Sequence, residues 1–371
     1  MHEDCVWIDC DSLEKFMAAV FRGLGVPDAD ADICAEVLIT SDKRGIDSHG
    51  IGRLKPIYYD RIKAGILNPV TKMEILREGP TTAVIDGHNG MGHVIGRHAM
   101  EMAIDKAEKF GLGMTAVRNS SHYGIAGYFA LMAAQNGMIG ITGTNARPSI
   151  APTFGVENML GTNPLTFALP TDEAFPFVLD CATSVSQRGK IEVYARKHKD
   201  IPAGWVIDRK GCTRTDTDQI LLDLVSGQAA LAPLGGIGED HGGYKGYGYA
   251  TVVEILSAAL QGGAFLKALS GHDENGALIP YRLGHFFMAI NVEAFTELDA
   301  FKKSSGDILR ALRASEKSPG ENRIYTAGEK EYLAGLERKD RGVPLNRALQ
   351  LDILQMRNEL GLNQFRFEFE T

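Results

Sequence analysis

Apolar positions in the first part of the chain recur at helical spacing. Leu13, Phe16, Met17, Val20 and Leu24 fall three or four residues apart, Asp11 or Ser12 stands where a helix cap is needed, and Gly23 and Gly25 mark the end. A second helix is expected over residues 30–43, stopped by Gly45. In the stretch that follows, DSHGIGRLKPIYYDRIKAG, Pro56 suits the start of a helical turn better than its interior. From Thr81 the period changes. TTAVID reads as a strand, 95–110 as a helix closed by Gly111, and GMTAVR as another strand; 126–135 reads as a helix, and MIGITG and PFVLD as buried strands. YATVVEILSAALQGG is a long apolar helix ended by paired glycines, HFFMAINV is the last strong strand, and the charged remainder is mostly helical, with a helix beginning near Pro344. This alternation predicts an α/β or α+β catalytic domain.

The stretch around GGIGEDHGGYKGYG is a glycine-dense connection, better suited to backbone contact with a ligand than to a regular element. No internal repeat or long linker separates the ends from the middle, so the terminal segments are expected to fold together around it. With 371 residues, 44% apolar and 23% charged, the chain is of ordinary globular composition and has room for about two domains. A formal net charge of -8 disfavours nucleic acid or an anionic bilayer as the main partner. Five cysteines without a C-x-x-C pair indicate neither a disulfide framework nor a four-cysteine zinc site and fit a reducing compartment. The acidic start lacks an apolar signal region, and the most hydrophobic later segment is interrupted by Glu254. A cytoplasmic protein is therefore expected.

Gly111-Leu-Gly113-Met-Thr-Ala116 matches G-x-G-x-x-A, but these glycines follow a helix and lead into a strand. The dinucleotide fingerprint requires the reverse order, and no G-x-x-x-x-G-K-[ST] occurs either. His88, His93 and His98 raise the alternative of a metal-dependent hydrolase; their spacing of five points them in different directions on a helix, and they read better as solvent-exposed or turn residues. Asp47-Ser48-His49-Gly50-Ile51-Gly52-Arg53 is more informative. With a helix starting near Gly50, His49 and Arg53 stand one turn apart, and Ser48 can orient the imidazole or cap the turn. An acid/base group titrating near ~6.5 would then lie beside a planar cation that matches a carboxylate, although a capped helix start with a surface arginine would look similar. Arg118-Asn-Ser-Ser-His122-Tyr123-Gly124-Ile125-Ala126-Gly127 runs from a strand into a helix. It suits either a phosphate or carboxylate at a helix N-terminus or a plain turn with a buried histidine.

Taken in order, SHGIGRL, NSSHYGIAGY, GTNARPSIAPTFG, GTNPL, FPFVLDCATS, GYKGYGYATVVEILSAAL and PGE resemble the type-2 malate/L-lactate dehydrogenase family over residues 10–330. GITGTNARPSIAPTFGVENMLGTNPLTF is similar to the archaeal-type malate dehydrogenase branch. The resemblance implies a non-Rossmann nicotinamide-binding fold of α/β, α+β-like class, with a mixed, largely antiparallel sheet. It also implies a helical domain of terminal segments, 1–80 with 297–371, around a catalytic domain over 81–296. It further implies a homodimer, NAD or NADP as cofactor, and malate as the first substrate, with L-lactate, sulfolactate or another 2-hydroxy acid as alternatives.

By matched position, His49 resembles the proton donor or acceptor, Ser48 its partner, and Arg53 and Thr162 substrate ligands. His122, Tyr123, Gly124, Ile125 and Ala126 resemble cofactor positions, and some members give the acid/base role to the histidine at position 122. Asp180, Cys181, Ala182, Arg188, Gly189, Lys245, Gly320 and Glu321 resemble further cofactor contacts, and no metal is implied. Lys190 stands where some members have the aspartate of a Ser-His-Asp relay; either the relay is dispensable in this branch or another carboxylate, such as Asp180 or Asp47, serves it, and its third member stays unassigned. A non-catalytic ligand-binding protein on the same fold is the remaining alternative.

Overall fold

In the computed structural model, which describes residues 5–370, a short strand β1 (Val6–Ile8) leads into helices α1 (Cys10–Gly23) and α2 (Asp28–Lys43). The cap of α1 is Asp9, whose carboxylate accepts the Ser12 N–H at 2.8 Å; Asp11 and Ser12, the residues expected to cap, lie inside the first turn. After α3 (Ile51–Arg53), a π-helical turn over Leu54–Tyr59 and α4 (Asp60–Lys63), the strands β2 (Glu74–Glu78) and β3 (Thr82–Asp86) pair antiparallel. Next come α5 (Gly92–Phe110), β4 (Leu112–Ser120), α6 (Ala126–Gln135) and β5 (Met138–Thr144), then the antiparallel pair β6 (Leu165–Leu169) and β7 (Phe177–Cys181). A smaller lobe holds α7 (Arg188–Arg196), β8 (Val206–Asp208), β9 (Thr213–Arg214), α8 (Thr217–Ser226) and β10 (Ala229–Leu231). The chain then forms α9 (Gly243–Ala258), β11 (Leu283–Asn291), α10 (Leu298–Ala314), α11 (Glu329–Arg341), β12 (Val343–Leu345) and α12 (Arg347–Glu359).

Seven strands form the main sheet in the order β2-β3-β4-β11-β5-β6-β7, and only β3 and β4 pair in parallel. The sheet is mixed and largely antiparallel, as the family resemblance implies. Gly111 ends α5 in the left-handed conformation (φ 83°) and Gly113 lies within β4, so neither opens a helix. Pro344 is strand, not helix start: β12 pairs with β1, Trp7 opposite Pro344, and α12 begins after Asn346, whose side chain accepts the Leu349 N–H at 3.0 Å. A two-stranded ribbon tolerates the missing proline N–H on its outer edge. This pairing joins the two ends of the chain, and side chains of α1, α2, α12 and Phe367 share one core.

Three glycines set how closely helices approach the sheet. A Cβ at Gly113 on β4 would lie 2.0 Å from the Ala103 carbonyl oxygen of α5, and one at Gly140 on β5 would lie 2.2 Å from that of Ala130 in α6. On β11, Phe287 packs into the core shared with α5 and α6. Gly284 faces the other way: its Cβ would lie 1.6 Å from the Ser257 oxygen of α9. Helices therefore cover both faces, and strand glycines permit the close contact. Gly113→Ala and Gly140→Ala are each expected to cost at least about 2 kcal/mol in urea unfolding. Gly335→Ala, at a half-buried position of α11 where an added Cβ would meet nothing closer than 3.6 Å, should be neutral or slightly stabilising. An unchanged midpoint for both strand variants would show that the helices can ride away from the sheet.

Candidate active site

Helix α2 places Asp42 beneath the loop that carries the Ser-His pair. The Asp42 carboxylate is buried and accepts the Ile51 N–H at 2.8 Å. A Cβ on Gly50 would lie 1.8 Å from its Oδ1, so glycine is required there by contact rather than by backbone angle. Burial pushes the Asp42 carboxyl up to about 8, partly offset by that N–H. On the far side, Arg338 of α11 pairs with both oxygens of Asp47 and donates to the Asp42 carbonyl. The loop is thus clamped between two helices.

Residues 51–63 run on as one helical stretch, and Pro56 lies in its interior rather than at its start. The π-helical widening accommodates the missing N–H. It also delivers Tyr58 into the centre of the site. The Tyr58 hydroxyl lies 2.7 Å from His93 Nε2 and 2.6 Å from His122 Nδ1. His49 stacks on His122 with ring centroids 5.6 Å apart, Ser48 Oγ lies 2.8 Å from His49 Nδ1, and Arg53 Nε donates to the Ser48 carbonyl. Among the described residues, no hydrogen bond occupies His49 Nε2, His122 Nε2 or the two terminal nitrogens of Arg53. Three functional groups are therefore free to meet a ligand.

The electrostatics are set by packing and by one cation. His49 is half-buried; desolvation and the neighbouring Arg53 bring it down to about 4, well below its ordinary value. His122 is lowered well below the imidazole range by burial, then by His49, His93 and Arg53. Burial alone brings His93 to about 3, and it brings the buried His285 to about 3 as well. All four imidazoles are neutral at pH 7. The expectation of an unperturbed histidine at position 49 is thereby corrected.

The loop 122–127 and the end of β7 meet at the start of α6. Asp180 accepts the Gly127 N–H at 2.7 Å and the Thr166 hydroxyl at 2.9 Å; burial raises its carboxyl, and these bonds and Arg44 oppose the rise. Cys181 follows, its thiol raised by burial and then by Asp180. A cleft of about 300 Å³ opens here, bordered by Arg44, Gly127, Asp180, Tyr325, Gly328 and Lys330. Tyr123, Ile125 and Ala126 turn their side chains into the core, Tyr123 stacking on His285 at 4.4 Å. Apart from the His122 ring, only backbone from that loop can face a ligand, with Gly124 at φ +84° making the turn.

Gly189 at the start of α7 borders Ser48, whose Cβ would lie 4.0 Å from a Cβ placed there. Arg188 pairs with Glu192 at 3.0 Å, and Lys190 lies over the Trp205 ring at 4.8 Å. Asp47 is held by Arg338 and Asp180 by Gly127 and Thr166, so neither carboxylate bonds Ser48 or His49. Thr162 is tied through its carbonyl to Thr183, and the Lys245 ammonium sits on the exposed first turn of α9, 5.7 Å from the Tyr244 ring centre. Gly320 and Glu321 form an exposed turn preceding the Tyr325–Gly328 wall of the cleft. No hydrogen bond among the described residues joins Thr162, Lys245, Gly320 or Glu321 to the histidines.

The other histidines separate. His88 bonds Glu74 at 3.1 Å, His98 bonds Glu101 at 3.0 Å, and His93 is fully buried against Tyr58 rather than exposed, because the first turn of α5 packs inward. No metal-sized cluster of His, Cys, Asp and Glu occurs among the described residues. Sequence reading missed Tyr58, Asp42 and Arg61. Arg61 stacks over Tyr281 at 3.6 Å, its buried Nε has no protein partner among the described residues, and it lines a small cavity with Asn89, Ser121, His122 and Tyr281. Nothing local in Tyr58 or Asp42 signals a site; a second arginine two helical turns beyond Arg53 was the one available hint. No helix of the described residues is long and apolar enough to cross a membrane.

Residues 8–353 match the family model described as malate/L-lactate dehydrogenase. The chain is 44% identical to a malate dehydrogenase of Pyrococcus horikoshii over 97% of each chain. It is 39% identical to an L-sulfolactate dehydrogenase of Methanocaldococcus jannaschii, covering 94% of this chain and 96% of that one. The crystal structure of malate dehydrogenase from Entamoeba histolytica superimposes with a TM-score of 0.93 at 45% identity, covering 96% of this chain and 98% of the other.

Four imidazoles held neutral by the fold regain ordinary basicity on unfolding, so the unfolded chain binds more protons below about pH 6.5. Their contribution to stability is present above that pH and is lost as pH falls toward the folded values, about 4 for His49 and about 3 for His93 and His285. Melting temperature should therefore fall between pH 6.5 and 4, the four histidines outweighing the opposite contribution of the raised Asp42 carboxyl, with net proton uptake on unfolding by calorimetry in buffers of different ionisation enthalpy. A flat profile across that window would contradict the neutral assignment.

Proposed function

The chain belongs to the malate/L-lactate dehydrogenase family and is a 2-hydroxy-acid dehydrogenase, and on that basis we propose that it interconverts malate and oxaloacetate with NAD or NADP. The observation that carries the substrate reading is a pair of guanidinium groups around the histidines. Arg53 and Arg61 both act on Tyr58 from opposite parts of the helical stretch, and Arg61 shares a cavity wall with His122. Two cations suit a dianionic 2-hydroxy acid better than lactate. Malate and sulfolactate, the substrates named for two relatives, both fit that description, the second carrying a sulfonate in place of the distal carboxylate.

The residues present fit a dinucleotide. Arg44 and Lys330 are placed for a diphosphate, and Gly328, where a Cβ would press on the Pro176 oxygen and Val178 nitrogen at 3.0 Å, keeps the cleft wall close to β7. His122 to Ala126 would contribute backbone, with Asp180, Cys181, Ala182, Arg188 and Gly189 alongside; Lys245, Gly320 and Glu321 are placed farther out. When bound, the nicotinamide supplies or accepts the hydride. In this reading the unit of 1–80 with 297–371 contributes His49, Arg53 and, through Arg44, Tyr325, Gly328 and Lys330, one wall of the cofactor cleft, and 81–296 contributes the opposite wall at Gly127 and Asp180.

Arg53, anchored through Nε, offers its two terminal nitrogens to the substrate's C1 carboxylate as a fork. The family resemblance assigns Thr162 to the substrate side. His49, oriented by Ser48, takes the hydroxyl proton in oxidation and returns it in reduction. The neutral form suits the first task directly. A carboxylate on Arg53 offsets the charge that depresses His49, so substrate binding raises its affinity for the proton.

Initial rates with both reduced cofactors against oxaloacetate, sulfopyruvate and pyruvate test the reading; oxaloacetate should lead, and failure with all three would refute it. His49→Ala should lower kcat by about 10²–10⁴ with cofactor binding nearly intact. Arg61→Gln should raise KM for oxaloacetate about tenfold while leaving pyruvate little affected. Arg53→Lys should raise KM for both. We further propose a homodimer in which a second copy covers the outer face of α9 and the segment after it, where Tyr249, Val252, Ile255, Leu260 and Phe265 are exposed around a groove of about 520 Å³. Ile255→Asp should yield monomers in light scattering.

A further inference from the structure

We infer that Tyr58 and the buried His93 are positioning residues that hold His122 as a neutral imidazole with its proton on Nε2, so that His122 donates a hydrogen bond to the substrate carbonyl and the proton transfer belongs to His49. This rests on the dehydrogenase reading above and deepens it by dividing the work between two stacked histidines.

The argument is an accounting of protons. The Gly124 N–H points at His122 Nδ1 from 3.3 Å, and a backbone amide can only donate. His122 Nδ1 is therefore an acceptor without a proton of its own. Tyr58 Oη also has the His122 carbonyl oxygen within reach at 3.2 Å, but at 2.6 Å from the bare nitrogen it must direct its single hydrogen there, since two lone pairs would otherwise face each other across the shorter contact. Having spent that hydrogen, Tyr58 Oη can only accept at its other contact, so His93 Nε2, 2.7 Å away, must carry the N–H. Neutral His93 is then left with a bare Nδ1, and Nδ1 is the atom that lies buried without a partner among the described residues. The reverse chain would leave a buried N–H at His93 Nδ1 with no acceptor and set the Gly124 N–H against a second donor, two costs that the observed arrangement avoids.

The groups facing His122 favour the same state. His49 stacks on it, His93 and His285 are neutral neighbours, and Arg53 is the nearby cation that opposes a second positive charge. A neutral imidazole cannot give up its Nε2 proton at moderate cost, because the relay behind it ends at His93 in the core. It can polarise a carbonyl by hydrogen bonding, which leaves His49, with Ser48 Oγ at its Nδ1, as the group that exchanges the proton.

Histidine-selective ¹⁵N NMR of the protein without substrate tests this, with the His122 signal assigned by its loss in His122→Asn. The wild type should show Nε2 protonated and Nδ1 as acceptor from pH 6 to 8. Tyr58→Phe should give a mixed tautomer and lower kcat for oxaloacetate reduction about tenfold or more, with cofactor binding unchanged. His93→Gln, which restores an N–H donor, should keep the wild-type tautomer, whereas His93→Leu should lose it, and this pair decides the matter if Tyr58→Phe fails to fold. A proton on Nδ1 in the wild type, or an unchanged tautomer in both Tyr58→Phe and His93→Leu, overturns the proposal. Because the spectrum is read without turnover, an enzyme inactive on every 2-oxo acid would sink the substrate reading and leave this result to stand by itself.

Discussion

The Asp42 carboxylate, buried under the Gly50–Ile51 peptide, fastens the loop of His49 and Arg53 to the helical body. Its position explains the glycine at 50, since any side chain there would occupy the space of the carboxylate. It also sets the direction in which the following helical stretch leaves, and hence where Arg53, Tyr58 and Arg61 arrive. Arg338 completes the clamp from α11. A buried carboxyl is costly unless hydrogen-bonded, and here its raised proton affinity shows that the cost is only partly met.

Around that anchor the site combines uncharged imidazoles with fixed cations. Burial holds His49, His93, His122 and His285 in the neutral form, while the two terminal nitrogens of Arg53 are left without a protein partner among the described residues. An anionic substrate entering this field meets positive charge from the arginines and hydrogen bonds from neutral rings. In the proposed mechanism, substrate binding and proton affinity are coupled through the same guanidinium.

The sheet makes this geometry durable. β11, between β4 and β5, has helices pressed on both faces, and the glycines of these strands let them approach to backbone contact. β4 and β7 end near the start of α6, which brings His122 and Asp180 from distant parts of the chain to one helix terminus. That convergence forms the cleft proposed for the cofactor, with no glycine-rich phosphate loop.

Hydrophobic periodicity by itself determined the helices 126–135 and 95–110 and the strands from TTAVID to HFFMAINV, because burial of one face leaves a repeat that local reading detects. The ordered motifs determined the family, and the Ser48-His49-Arg53 spacing is legible because all three lie within six consecutive residues at a helix start. Element starts were less legible: Asp9 rather than Asp11 caps α1, and Pro344 joins a strand whose partner lies at the opposite end of the chain. Pro56 looked like a helix start because the π-helical turn that absorbs it leaves no mark in a 3.6-residue pattern. Only the tertiary structure decided that His93 is buried behind Tyr58 while His88 and His98 face other partners, that Lys190 rests on Trp205, and that His49 titrates far below its ordinary range. Each of these depends on contacts between residues tens to hundreds of positions apart, and on desolvation, neither of which has a local signature in the order of side chains.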